Sequence, residues 1–458
     1  MYKNFFQFKL IFIILIAVFL ITTGLGCKTG VSEKDLDPVN LVYWRTDDDR
    51  GDFSTIINGF QKLHPNISIT FKKVKKENYT QEILEAWAEN KGPDIFSIPN
   101  TWLGKYKEKV SKIPLGAEFS LPKKVTTGTI KKTDKIIEEA IKVPSLRDLQ
   151  KRYVSDVFRF IIKDQKQIYG LPLNLDTLVM YYNRDMLDSN NIPNPPKNWQ
   201  EFVKDVKLLT LQDRNGNFIQ SGAALGTAEN IEYSTDILSL LMMQNGAFMA
   251  QNARKATFDL PLESNSNYFP GIEALNFYTS FSNPAQPRYS WNRDLPNAFD
   301  AFISGRLGFL FGYSDYLQEI KKQAPKLNFS IASVPQISDS LKNINYAKYP
   351  IEVVSKNSSY QNEAWAFLLY ASKQDNVESF LEKSKHPTAH RNLIKKQLED
   401  FDLAPFANQV LTASSWYKGS NYNLVKEAFN GMINSVITGA KSSKEAIEYG
   451  VNKINLTY

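Results

Sequence analysis

The sequence predicts an α/β protein with mainly parallel sheet, and three observations carry that reading. Residues 39–99 alternate apolar runs and amphipathic stretches in the order strand, helix, strand, helix, strand. A second α/β block begins near residue 168, and from residue 361 onward the chain is chiefly helical. Its 458 residues suit about two or three domains, with 43% hydrophobic and 13% aromatic residues to fill their cores.

The N-terminus has a different character. Lys3 and Lys9 precede "LIFIILIAVFLITTGLG", an uncharged run of 17 residues ending at Cys27. A basic start, an apolar core and small residues before a cut make a secretory signal. The run is also at the short edge of what spans a bilayer, which leaves an uncleaved anchor as the alternative. Cys27 is the only cysteine, so an exported domain has no internal disulfide. "TGLGC" resembles the lipobox of bacterial lipoproteins, with Gly24 where Leu is usual. That resemblance implies a signal peptide over residues 1–26 and lipidation of Cys27. It also implies attachment to the extracellular face of the bacterial cytoplasmic membrane, or the periplasmic side where an outer membrane exists. An incidental cysteine beside an ordinary signal is the bland reading.

Residues 27–38 are short and polar and suit a flexible tether. "VNLVYW" then reads as a strand and "FSTIINGFQKL" as a helix, with Phe53, Ile56, Ile57 and Phe60 at helical spacing and Asp52 placed to cap it. His64-Pro65 ends that helix, "ISITFKKV" alternates as a strand, "ENYTQEILEAWAEN" is amphipathic, and "GPDIFSIP" is a short buried strand. Residues 105–167 resist assignment, although helical spacing begins at about residue 133. "QIYGLPL" and "LVMYYN" read as strands around the polar stretch Asn174-Leu175-Asp176-Thr177. A helix follows at "RDMLDSNN", and a proline-rich turn feeds another at "NWQEFVKDVKLLT". "PNAFDAFISGRLGFLFGYSDYLQEI" reads as helix, turn, strand and helix, with "FSIASVP" and "YPIEVVS" as further strands.

The formal charge is +7, and removing residues 1–26 leaves 53 basic against 48 acidic residues. Lysine clusters at 72–76 and 122–135 could favour an anionic membrane surface, but a solvated lysine-rich exterior is the simpler account. No nucleic-acid module is visible among them, and no nucleic-acid partner is expected.

Four stretches in order carry a family resemblance. They are "VNLVYWRTDDDRGDFSTIINGFQKLHPNISITFKKV", "GPDIFSIP", "IYGLPLNLDTLVMYYNRDMLDSNNIPNPPKNWQEF", and "AFISGRLGFLFGYSDY" followed by "VVSKNSSYQNEAWAFLLYAS". Together they resemble the extracellular solute-binding proteins of ABC transporters, of the sugar-binding type typified by maltose-binding protein. The resemblance implies a type II periplasmic-binding-protein fold: two hinge-linked α/β lobes enclosing a ligand cleft. It implies an N-terminal lobe of residues 39–172 plus about 349–385, and a C-terminal lobe of 173–348 plus about 386–458. Crossings would fall near Tyr169–Asp176, Tyr349–Val354 and His386–Arg391. It further implies a monomer without cofactor or metal, which captures a polar solute, a sugar or oligosaccharide foremost, and delivers it to permease subunits.

Candidate contacts follow from this placement. Trp44, Arg45 and Thr46 end the first strand, where an aromatic face and polar donors suit a sugar, with a core tryptophan as the bland alternative. Asn100 and Thr101 follow "DIFSIP" at a strand end, where a plain turn would look the same. Asp176 opens onto the cleft at the first crossing, since a buried carboxylate would need another partner. Tyr181 and Tyr182 alternate across a strand, so one of them faces the cleft. Tyr313 and Ser314 follow Gly312 at a strand end, and Trp291, Arg391 and Trp416 lie where the family supplies aromatic or charged contacts. The acidic run at 47–49 fails the calcium-loop pattern, because Gly51 falls at the fifth position and Asn58 replaces the final Glu. It suits the following helix N-terminus instead.

Two other function classes compete. A secreted carbohydrate hydrolase would need paired carboxylates, such as Asp176 with Glu352 or Asp315. A surface adhesin would use the aromatics. His386 and His390 are a weak zinc hint, spoiled by Pro387.

Overall fold

The computed structural model describes residues 36–128, 132–164, 166–252, 254–338 and 340–458. Cys27, the apolar run before it and most of the tether lie outside the described residues. No helix among the described residues is long and apolar enough to cross a membrane.

The first block forms as expected: β1 (Val39–Arg45), α1 (Arg50–Leu63), β2 (Ile67–Lys73), α2 (Tyr79–Ala88) and β3 (Ile95–Pro99). β1 runs parallel to both β2 and β3, with Val39 opposite Ile67 and Tyr43 opposite Ile95. Helix α1 starts two residues before Asp52, whose carboxylate instead accepts the Asp49 amide at 2.9 Å in a reciprocal cap. Phe53, Ile56, Ile57 and Phe60 are fully buried. Each contributes about 1.5–3 kcal/mol of burial free energy.

In the region that resisted assignment, the short β4 (Val110–Ser111) is followed by a long hairpin, β5 (Glu118–Thr127) and β6 (Thr133–Lys142), in continuous antiparallel register. The helical spacing read from residue 133 onward is realised only beyond the hairpin, in helices at Leu146–Arg152 and Ser155–Ile161; over 133–142 it gives way to the ladder, across which its charges find partners. Lys123 pairs with Glu139 at 2.5 Å and Lys124 with Asp134 at 3.0 Å. The hairpin is pinned to the end of α1 by His64 Nδ1 against the Pro122 carbonyl, at 2.7 Å.

The second sheet contains β7 (Val179–Asn183), β8 (Phe218–Ala223), β9 (Leu307–Gly312) and β10 (Phe329–Ser333), in the order β8-β9-β7-β10 with Leu211–Gln212 at the β8 edge. It is mixed rather than mainly parallel: only β8 and β9 run together, and β7 is antiparallel to both neighbours. The strand bringing the chain into this unit thus lies against the one that begins its return.

Two further strands follow, β11 (Asn345–Lys348) and β12 (Pro350–Ser355). β12 returns to the first sheet, whose order is β2-β1-β3-β12-β4. Side chains gather into two cores, one around Tyr43, Phe53 and Val353 and the other around Tyr181, Phe202 and Phe309. Core membership changes between Leu175 and Leu178 and between Tyr346 and Ala347; beyond Ile394 the chain touches the second core at Phe406, rejoins the first at Val410 and Ala413, and passes finally to the second before Trp416. The last passage comes later than His386–Arg391, because Ala389, Leu393 and Ile394 still pack in the first core. There His390 bridges Tyr153 across the backbone. The three passages are hydrogen-bonded to one another as a small sheet of Asp176–Thr177, β11 and Ala413–Ser414. Asp176 lies opposite Lys348, and Asn345 opposite Ala413.

Candidate functional site

The junction between the cores is organised by a chain of buried polar groups. Glu352 sits fully enclosed on β12, opposite Ser97 of β3. It accepts the Tyr43 hydroxyl at 2.6 Å, Arg45 Nη1 at 2.5 Å and Ser97 Oγ at 3.2 Å. The guanidinium of Arg45 also holds Asp48 at 2.5 Å and lies against the rings of Phe53 and Phe380. Asp48 then meets His386 Nε2 at 3.0 Å. His386 Nδ1 reaches Ser314 Oγ at 3.2 Å, and Ser314 donates both its amide and its hydroxyl to Asp176 Oδ2, at 2.9 and 2.6 Å. The path therefore crosses from the centre of the first sheet to the start of a helix in the second unit.

Burial alone would raise the Asp48 carboxyl, but Arg45 and His386 hold it well below its usual range. Burial pulls His386 down, yet its hydrogen bond and charge contact with Asp48 carry it above its ordinary value. A group raised on folding stabilises below its unfolded pKa, near 6.5, and loses that contribution as pH rises through the folded value. We expect His386→Gln to melt below the wild type at pH 6, with the gap narrowing towards pH 9 in melting curves. A gap that widens with pH would contradict this assignment.

Asp176 is pushed up to about 6, chiefly by burial and against the Ser314 hydrogen bonds. Its other oxygen accepts the Thr177 amide at 2.9 Å. Thr177 is itself tied to the Phe406 carbonyl and to Gln409, and the Leu175 amide binds the Pro387 carbonyl. The polar interruption at 174–177 is thus spent on joining one passage to its neighbours. Gly170, just upstream, is required by close approach: a Cβ there would meet the Glu352 carbonyl at 2.3 Å. Asp176→Asn should cost about 1.5–3 kcal/mol in chemical unfolding, because the Ser314 donors lose a charged acceptor.

A second cluster flanks β11. The half-buried Lys348 places Nζ 4.8 Å from the Tyr313 ring centre and 5.0 Å from that of Tyr233. The Tyr233 hydroxyl donates to Asp315 at 2.9 Å, while those of Tyr313 and Tyr422 both donate to Asp236 at 2.9 Å. Burial opposes the Lys348 charge, but Asp315, Asp236, Asp47 and Asp176 together raise its pKa. Asp47 belongs to the first unit and the two tyrosines to the second, which places the ammonium between them. A third cluster ties Asn100 Nδ2 to Ser415 Oγ at 2.7 Å, and Ser415 and the Tyr349 hydroxyl to Asp156 at 3.2 and 3.1 Å.

The model of the bacterial extracellular solute-binding protein family matches residues 47–378. The chain belongs to this family. This solute-binding protein is 22% identical over 330 residues to a binding protein of Brucella abortus (strain 2308), covering 70% of this chain and 69% of that one. It is 24% identical over 198 residues to the galactooligosaccharide-binding protein of Bacillus subtilis (strain 168), over 42% of this chain and 39% of that one. Among solved structures, a cyclo/maltodextrin-binding protein complexed with maltotetraose has a TM-score of 0.69 at 14% identity, over 92% of this chain and 97% of that one. The sugar-binding protein MalE from Xanthomonas citri gives a TM-score of 0.69 at 16% identity, with the same coverage. The shared fold is the two-lobed α/β periplasmic-binding-protein architecture.

Within the solute-binding protein, the sequence candidates part company. Asp176, Ser314, Tyr313, Arg45 and Asn100 converge on the junction, each already hydrogen-bonded within the protein. Thr101 is buried beside Asn100 in the same turn. Trp44 is buried in the first core with Lys72 Nζ 4.1 Å over its ring, which covers the face expected to stack. Tyr181 is fully buried and donates to the Tyr313 carbonyl at 2.6 Å, so it supports that wall from behind. Trp291 is fully enclosed in the second core with Nε1 on Asn230, and Trp416 donates to Ser239. Arg391 bonds Tyr153 and Ser155 in the first unit. Asp48 turns inward to Arg45 instead of serving the helix start. Lys348, Tyr233, Asp236 and Ser415 were missed, although a lysine one residue before "YPIEVVS" was a visible signal.

His386 and His390 take different partners: His390 stacks edge-on with Tyr153, and burial brings it down to about 3. Glu352, the carboxylate paired with Asp176 in the hydrolase reading, is fully enclosed and bonded to Tyr43, Arg45 and Ser97. A separate hollow of about 200 Å³ lies under the hairpin, lined by Phe60, His64, Ile141 and Tyr370. Its Lys123 and Arg152 are already bound to Glu139 and Ser372.

Proposed function

We propose that this protein is the substrate-binding lipoprotein of an ABC import system. It captures a sugar or oligosaccharide between its lobes and presents it to membrane permease subunits. The observation that carries the reading is the small sheet of three adjacent passages between two separate cores, with tyrosines and a lysine grouped beside it. Few and adjacent connections let two lobes rotate about a common line, and a solute touching both stabilises the closed arrangement. The sugar ligands named for the maltodextrin- and galactooligosaccharide-binding relatives support the choice of solute. Tyr313, Tyr233 and Ser314 furnish the second-lobe wall, and Asp176 orients Ser314.

Lipidation at Cys27 holds the mature chain at the outer face of the cytoplasmic membrane. Stable attachment of this kind requires more than one acyl chain. Cys27→Ser should release the protein into the medium or periplasm in a fractionation experiment; retention at the wild-type level would make the apolar run an uncleaved anchor. The solute reading is tested by melting the protein against a panel of sugars. A ligand at a hundred times its dissociation constant adds about 2.7 kcal/mol. A panel without any stabilising sugar would overturn it.

A further inference from the structure

We propose that Lys348 is the hydrogen-bond anchor for the solute, and that the site selects uncharged polyhydroxyl molecules over anionic ones. This rests on the solute-capture reading above and specifies how it works. An ammonium carries three N–H donors. Among the described residues no acceptor lies within hydrogen-bond or ion-pair distance of Lys348 Nζ, whose near neighbours are the Tyr233 and Tyr313 rings. Ring faces attract a cation but give its N–H groups no directed acceptor.

The surrounding carboxylates do not fill that role because none lies within ion-pair distance of Nζ, and each is held in place by hydroxyl donors of its own. Asp315 receives Tyr233, Asp236 receives Tyr313 and Tyr422, Asp176 receives Ser314, and Asp47 receives Thr46. The half-buried ammonium therefore has no protein acceptor among the described residues and keeps its donors free for solvent, and solute oxygens arriving between the lobes would take the place of that water. The flanking aromatic rings suit the apolar C–H face of a sugar beside those oxygens. Four aspartates against one lysine also set a local field that opposes an incoming anion. An uncharged polyol satisfies the donors without meeting that field.

The test is calorimetric titration of the mature protein with maltotetraose and with tetragalacturonate, preceded by a wider panel pairing neutral oligosaccharides with their uronate counterparts. The expected result is saturable binding of a neutral member, with its uronate counterpart about tenfold weaker or more. Lys348→Met should weaken the neutral ligand by about tenfold or more at a temperature where the variant, somewhat destabilised by losing the cation among the four aspartates, is still fully folded. Tighter binding of the uronate overturns the selectivity. Unchanged affinity in Lys348→Met overturns the anchor, yet leaves solute capture standing. If the Met variant does not fold, Lys348→Gln replaces it, and wild-type affinity in that variant likewise overturns the anchor. Failure of every sugar to bind the wild type overturns the capture reading itself, and this inference with it.

Discussion

Arg45→Met should lower the unfolding free energy of the ligand-free protein by about 3–5 kcal/mol, the usual cost of removing one partner from a buried charge pair. The guanidinium is only 1% exposed and is shared between Asp48 and Glu352, which are 3% and 0% exposed. Methionine would fill part of the space between Phe53 and Phe380, but both carboxylates would remain inside without their cation. Adding Glu352→Leu in the same background should recover part of the loss, since an apolar replacement of a buried pair is often neutral or stabilising. Urea unfolding of the single and double variants measures both steps. A stable single variant with weakened sugar binding would instead return Arg45 to the solute-contacting role expected from its sequence position.

The second large effect is expected at Trp291. Truncation to alanine empties a site in the second core and should cost about 3–5 kcal/mol. The indole is fully enclosed, its N–H is committed to Asn230 Oδ1 at 3.1 Å, and its backbone amide is bound to the Phe281 carbonyl. At a temperature where the variant is still folded, its affinity for sugar should be close to wild type. Melting and titration of the same preparation separate a core residue from a ligand contact. A marked loss of affinity without destabilisation would contradict the structural placement.

These two residues show where the sequence was legible and where it was not. The strand and helix periods of residues 39–99 are strong enough to define β1 to β3 and their helices, and the proline-rich turn does feed a helix, Trp199–Leu209, which Asn198 caps by accepting the Glu201 amide at 2.8 Å. The hairpin was opaque because its stability comes from cross-strand ion pairs that no single-strand period reveals. Trp44 and Trp291 looked like sugar-stacking groups because an aromatic residue near a strand end or loop reads alike whether it faces a cleft or a core. Asp176 read as a solute contact because a buried carboxylate would otherwise need another partner, and in the fold Ser314 of the same chain supplies one, which no local pattern around residue 176 announces. Lys348 escaped notice because its significance lies in what does not pair with it. That depends on where the fold holds Asp315, Asp236 and Asp176, each bonded to a hydroxyl and out of ion-pair reach of Nζ.

Small-angle scattering, with and without the sugar that stabilises most in the melting panel, tests capture between the lobes most directly. The three passages lie side by side in one small sheet, and if they serve as the hinge of the proposed capture, the sugar should draw the lobes together. The expected result is a smaller radius of gyration at saturation, with the change abolished in Lys348→Met at the same sugar concentration. An unchanged profile for the saturated wild-type protein would contradict closure about this junction.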